Sequence, residues 1–307
     1  NDLYQSLDPV AFAIGPFAVR WYGLAYLAGF VCAGFVLWRV AKRWRVRIDT
    51  DSLLTIMFCV IVGVILGGRL GYVLFYGDGY YLAHPTEILA FNKGGMSFHG
   101  GLIGALLSGI VAAKMTGIPY LTLADLGCIG APIGLFFGRC ANFINGELWG
   151  APTDAAWGVV FGGSAGMMPR HPSQLYEALL EGVIIFIVLF ALSRKLPPRP
   201  RGTFLGLFLV MYGAFRFLIE FVREPDAQLG YLWGGWLTMG QVLSVPLIVA
   251  GVIIFAYAIT KQLPQVGLPE PAYAAVGAGT QDPQDSQAPQ DSQAPQEPHD
   301  PSPKDEA

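Results

Sequence analysis

Charge is scarce in this chain. Asp, Glu, Lys and Arg make up 13% of its 307 residues, against roughly a quarter in a soluble globular domain. A surface solvated by water on all sides is therefore excluded. The deficit is uneven. Apolar runs near the roughly twenty residues that cross a bilayer recur from Trp21 to Thr260, which predicts a multi-span membrane protein. The net charge of −3 reflects an acidic C-terminal stretch, with nearly all basic residues lying before it. Cysteine is sparse too. Cys32, Cys59, Cys128 and Cys140 show none of the short spacings of a metal or redox motif. Three lie inside apolar runs, where a free cysteine behaves as a small hydrophobe; Cys140, directly after Arg139, is either a buried filler or a thiol whose pKa that cation lowers. The first twenty residues lack a basic n-region, and the apolar run from Trp21 has full span length, so it is read as a retained span rather than a cleaved signal. With no ligand cluster and no phosphate loop, no metal or nucleotide cofactor is expected.

Hydropathy fits an all-α polytopic membrane protein with seven spans, roughly 19–38, 53–76, 97–116, 121–138, 174–193, 203–222 and 240–260. Arg39, Lys42, Arg43, Arg45 and Arg47 follow the first, Arg194, Lys195, Arg199 and Arg201 follow the fifth, and Lys261 follows the last. The positive-inside rule then puts the N-terminus outside and the C-terminus in the cytoplasm. Residues 1–262 form the membrane domain. Within it, 139–173, rich in Gly, Pro and Trp, is expected to be a small extracytoplasmic cap with short strands. Residues 263–307, with their repeated QDSQAP, read as a disordered tail. Gly63, Gly67 and Gly71, and Gly130, Gly134 and Gly138, recur at the fourfold spacing of closely packed membrane helices.

Ionisable groups within spans are costly and usually face an interior. Here they are Arg69, His99, Arg139, Glu147, Glu177, Arg216, Glu220 and Arg223. The predicted topology brings His99, Arg139 and the group Arg216, Glu220 and Arg223 to one outer depth. Spacings of four and three put the last three on one helix face. They suit either a structural ion-pair ladder or, with arginine in excess of carboxylate, a phosphate site. His99, flanked by glycines in "GGMSFHGGLIG", is either a proton carrier or a ring bonded to a neighbouring helix. Tyr22 is either part of a site or an interfacial belt aromatic. In "GRCANFINGELWG", a capped helix end accounts for Asn142, Asn145 and Gly146, but not for Arg139 and Glu147 at an apolar boundary. A phosphate at Arg139, with Glu147 orienting a partner, accounts for all of them.

That stretch resembles the signature of the prolipoprotein diacylglyceryl transferases. So, in the family's order, do "SFHGGLIG", "RHPSQLYEALLEG", "GAFRFLIEFVREPDAQ" and "MGQVLSVP", over roughly residues 10 to 262. The resemblance implies a seven-span bacterial inner-membrane enzyme. It would move the diacylglyceryl group of phosphatidylglycerol to the lipobox cysteine thiol of a prolipoprotein signal peptide, giving a thioether and glycerol phosphate. Its partners would be these substrates and membrane lipids, with no nucleic acid and no cofactor. The family's functional residues fall on Tyr22, His99, Gly100, Arg139, Asn142, Glu147, Gly150, Arg216 and Glu220. One departure is Ala141, where the family usually has glycine.

The expected chemistry follows. A thiol with a pKa of about 8.5 needs a base or a cationic field to attack well. Arg139 and Arg216 would stabilise the departing phosphate, His99 would serve as base unless the arginines suffice, Glu220 would hold Arg216, and Asn142 would orient the headgroup. A transporter of anionic lipid suits intramembrane arginines equally well, but no matched repeat is visible. A pure assembly protein would explain the glycine stripes but not His99 with three arginines.

Overall fold

The apolar runs fold as helices, and among the described residues the only paired strands form one hairpin. The computed structural model describes residues 4, 7–15, 17–46, 48–76, 80–90, 95–224 and 230–265. Strands β1 (Val10–Ile14) and β2 (Phe17–Arg20) pair antiparallel and lead straight into helix α1 (Trp21–Arg43). Then come α2 (Thr50–Tyr76), α3 (Phe98–Thr116), α4 (Tyr120–Asn145), α5 (Ser173–Ser193), α6 (Thr203–Ile219) and α7 (Met239–Lys261). By length and composition α1, α2, α4, α5 and α7 can cross a membrane. The apolar stretches in α3 (Gly100–Thr116) and α6 are shorter. Their outer surface is hydrocarbon: Leu74 and Phe75 are about three-quarters exposed, and Phe58, Leu27 and Ile253 more than half. Such a belt suits a lipid solvent.

Lipid supplies no hydrophobic drive for helix association, so close packing must do it. The most extensive pairings are α2 with α3, α6 with α7, and α1 with α4. In the first, the Gly63, Gly67 and Gly71 stripe lies against Gly100, Gly104 and Ser108. A Cβ on Gly100 would stand 2.9 Å from Gly71 Cα. In the third, a Cβ on Gly29 would stand 3.2 Å from Gly134 Cα, and one on Gly130 3.3 Å from Ala33 Cβ. The glycine spacing thus reads as packing, as expected. Gly138 has open space beside it.

The core is polarised. Where α1 and α5 finish and α4 and α6 begin, Trp44, Leu126, Ile129, Leu189 and Phe204 are fully buried together. Trp44 Nε1 donates to Ser193 O at 3.0 Å. At this end Asp125 of α4, also fully buried, acts as a cap for another helix. It accepts from Gly202 N at 2.7 Å and Leu205 N at 2.8 Å, and from Gln265 Nε2 at 2.7 Å. The packed chain therefore runs three residues past the 262/263 boundary drawn from composition. From residue 266 on, the expected tail lies outside the described residues.

Three expectations are corrected. First, β1 and β2 form a hairpin ahead of the first span, where no strand was foreseen. Second, α4 continues to Asn145, so Arg139, Asn142 and Asn145 are helical and not part of the cap. Their spacing of three suits one helix face, and the first residue needing a left-handed backbone is Gly146 (φ 66°). In place of regular strands, the cap has single bridges joining Gly150 to Arg223, and Arg170 to Pro152 and Val159. Third, α6 ends at Ile219, so Arg223 is not on its face but in the segment bridged to Gly150.

Candidate active site

The end opposite the apolar core holds the charges. Glu177 and Glu181 lie four apart on α5, where the backbone loosens into a π-helical stretch, Ala178–Ile184. Both side chains are fully buried. Glu177 is the hub. Its Oε2 pairs with Arg139 Nε of α4 at 2.7 Å, and its Oε1 accepts from Arg216 Nη1 of α6 at 2.6 Å and from Arg223 Nη1 at 3.3 Å. Arg216 Nη2 also pairs with Glu220 Oε1 at 2.6 Å. The bare cost of burying such ions is repaid only by this kind of multiple pairing. Glu181 is less engaged. Arg139 Nη2 stands 3.9 Å away, and neither carboxylate oxygen has a hydrogen-bond partner among the described residues.

An excess of arginine over carboxylate is not what the structure contains. Glu177, Glu181 and Glu220 match Arg139, Arg216 and Arg223, so the cluster is formally neutral. Its members differ in access instead. The Glu177 and Glu181 side chains are 0% exposed, whereas Arg139 and Arg216 each keep 16%. The carboxylates hold the guanidiniums from behind and leave edges of them reachable.

Glu220 is fixed from a third helix. Thr238, the N-cap of α7, donates its hydroxyl proton to Glu220 Oε2 at 2.7 Å and accepts from Gln241 N at 3.2 Å. Gln241 Oε1 in turn accepts from Thr238 N, a reciprocal capping box. Gly240 makes room: a Cβ there would lie 2.6 Å from Glu220 Oε1.

Beyond Arg139, the mouth of α4 folds onto itself. Glu147 Oε1 accepts from Asn142 Nδ2 at 2.8 Å and Asn145 Nδ2 at 3.3 Å, while its backbone oxygen accepts from Gln174 Nε2 at 2.7 Å. Asn142 and Glu147 are thus mutual partners. Gly150 N donates to His171 O at 2.9 Å, and a Cβ at Gly150 would stand 2.7 Å from His171 O. The glycine keeps the cap seated against the Arg223 segment. Tyr22 is the second residue of α1, near Glu147 and Arg139, and its hydroxyl lies 3.0 Å from that of Tyr26.

Arg139, Arg216, Glu220 and Arg223 therefore meet, with Asn142, Glu147, Gly150 and Tyr22 around them. Gly100 does not join them; it sits in the α2–α3 seam. His99 is the second residue of α3, and its side chain lies outside the described residues. Ser97, just before, caps α3 and bonds to Gly68 O at 2.8 Å. Arg69 is a clamp: its guanidinium donates to the carbonyls of Glu87, Ile88 and Gly95. Two residues went unassigned. Glu177 stands among the intramembrane ions of the sequence without a role, and Glu181 is not among them. The signal available was "YEALLEG", two carboxylates one helical turn apart inside a predicted span.

The family model of the prolipoprotein diacylglyceryl transferases matches residues 9–257. A phosphatidylglycerol–prolipoprotein diacylglyceryl transferase of Geobacter sulfurreducens is 50% identical over 248 residues, 81% of this chain and 94% of that protein. The protein of the same name from Pseudomonas aeruginosa PAO1 is 50% identical over 262 residues, 85% and 97% of the two chains. That from Methylocella silvestris is 49% identical over 264 residues, 84% and 96%. Matched over most of its length and at half its positions, the chain belongs to the prolipoprotein diacylglyceryl transferase family.

Proposed function

We propose that the arginine cluster is where this chain binds the phosphate of phosphatidylglycerol and moves its diacylglyceryl group to the lipobox cysteine of a prolipoprotein. The chain is a phosphatidylglycerol–prolipoprotein diacylglyceryl transferase, acting at the first step of lipoprotein maturation. In our reading it is a multi-pass protein of the bacterial inner membrane whose seven apolar helices all span. The cations after α1, α5 and α7 face the cytoplasm, which puts the arginine cluster in the outer half.

The observation that carries the site is the graded access around Glu177. Three guanidiniums from separate segments converge on buried carboxylates and leave two reachable edges. A phosphate diester approaching from the membrane surface meets Arg139 and Arg216, already aimed and already desolvated. Such preorganised cations stabilise a leaving group as its charge grows. The thiol sulfur attacks the glyceryl carbon, the C–O bond to phosphate breaks, and the bonding pair leaves with glycerol phosphate. The thiol proton passes to a base, for which His99 is the candidate. Glu177 and Glu220 position the arginines. Asn142, held by Glu147 at the rim, meets the headgroup glycerol, while Tyr22, Gly150 and Arg223 shape that rim and Gly100 seats the helix bearing His99.

The test is transfer from phosphatidylglycerol to a lipobox peptide in detergent. Wild type should yield lipid-shifted peptide and glycerol phosphate, and Arg139→Ala should lose at least about 100-fold of that rate. A folded, lipid-supplied wild type that gives no product would refute the transferase. Full activity in Arg139→Ala would remove phosphate binding from Arg139.

A further inference from the structure

A second concentration of positive charge lies at the other end of the molecule. The C-terminal end of α1 carries Arg39 and, in its last turn, Lys42 and Arg43, and Arg194 follows the last residue of α5. These four cations, from segments about 150 positions apart in sequence, line one cavity of about 540 Å³, together with Val40 and Phe190. The volume is in the range of small-molecule sites. None of the four forms an ion pair among the described residues. The partners they do have leave their charge intact. Arg43 Nε and Nη2 donate to the carbonyl of Arg194 at 3.0 and 2.8 Å. Lys42 Nζ stands 4.4 Å over the Trp38 ring. Membrane orientation asks for a surplus of cations on one side, and helix ends favour cations near their carbonyls. Neither asks that they surround a single concavity with an apolar wall.

We infer that this cavity binds the phosphate headgroup of an anionic glycerophospholipid from the leaflet opposite the arginine cluster. Arg39 and Arg194 would grip the phosphate oxygens, as guanidiniums do, and Lys42 would add charge. The glycerol end would rest on the partly exposed Phe190, with the acyl chains running down the exposed apolar faces of α1 and α5. A free phosphate would use the cations but not the apolar wall. The lipid would stitch together the cytoplasm-facing ends of two helices that already share the Arg43 bond, so its role is structural and separate from transfer. The inference rests on the membrane-spanning reading above and not on the chemistry assigned to Arg139.

The experiment uses the full chain in detergent, with bound lipids counted by native mass spectrometry during titration with phosphatidylglycerol, phosphatidylcholine or inorganic phosphate. Wild type should retain one more phosphatidylglycerol than Arg39→Gln/Arg194→Gln, and the variant should hold that lipid roughly 30-fold more weakly, at about 1 kcal/mol per cation. Arg39→Lys/Arg194→Lys should restore most of the retention. Phosphatidylcholine should not replace the lipid, and inorganic phosphate at millimolar concentration should not displace it. Transfer to a lipobox peptide should persist in both variants, showing that they are folded and that the outer site is filled independently. Equal lipid counts in wild type and the glutamine pair would overturn the inference. Displacement by inorganic phosphate, or loss of the lipid in the lysine pair, would overturn it as well.

Discussion

Replacing Glu177 by glutamine keeps its shape and removes the one charge that three arginines share. The carboxylate receives Arg139 at 2.7 Å, Arg216 at 2.6 Å and Arg223 at 3.3 Å while fully buried. The remaining Glu220 engages mainly Arg216, and Glu181 only approaches Arg139. Glu177→Gln thus leaves a surplus cation in a site with little water, and glutamine's N–H₂ turns a donor toward donors. Removing one member of a buried ion pair costs about 3–5 kcal/mol. At about 2–4 °C per kcal/mol for a chain of this size, the unfolding midpoint should fall by roughly 6–20 °C. The assay is thermal unfolding in one detergent at one scan rate, since membrane proteins commonly unfold irreversibly. Glu181→Gln is the internal comparison. It sits one turn away with no hydrogen bond to either oxygen among the described residues. Its carboxylate meets one arginine, at 3.9 Å, so glutamine there should lower the midpoint by much less than Glu177→Gln. A Glu177→Gln midpoint within 2 °C of wild type, or greater damage from Glu181→Gln, would refute this account of the hub.

Two further outcomes follow from the packing. Asp125→Ala leaves the Gly202 and Leu205 N–H groups without their acceptor, at about 1–3 kcal/mol each, while the Gln265 amide loses one of its two acceptors and keeps Arg199 O. This substitution should lower the midpoint more than Gln265→Ala, and the double variant should fall short of the sum, as a double-mutant cycle by thermal unfolding would show. Gly104→Ala drives a methyl against the Gly63 carbonyl and to 3.0 Å from Gly67 Cα, whereas Gly127 has nothing within 4 Å. Gly104→Ala should reduce the yield of monodisperse protein in detergent, and Gly127→Ala should leave it unchanged or improved.

Much of this was legible in the sequence because lipid leaves few options. Apolar length locates the helices, fourfold glycine locates the seams, and an intramembrane arginine has to find a partner. That logic brought Arg139 and Arg216 together across 77 positions. It stopped short of Glu177 because nothing local tells three arginines which of several carboxylates they share. That choice depends on helix phase, which the π-helical stretch after Glu177 changes. Asp125 escaped notice for a related reason: its partners are backbone N–H groups of another helix, and a backbone donor has no letter. The hairpin and the early end of α6 hinge on turns only a few residues long. There propensity is weak, and tertiary contacts such as the Gly150–Arg223 bridge decide.

Thr238 serves two masters with one oxygen atom. Its only proton goes to Glu220, and a lone pair takes Gln241 N. Mutation at this position is therefore judged twice. Asparagine or aspartate would satisfy the start of α7, but neither offers a hydroxyl to the glutamate. Valine would fill the space and fail both demands. Serine, with its hydroxyl, meets the two together, so position 238 has little room to drift.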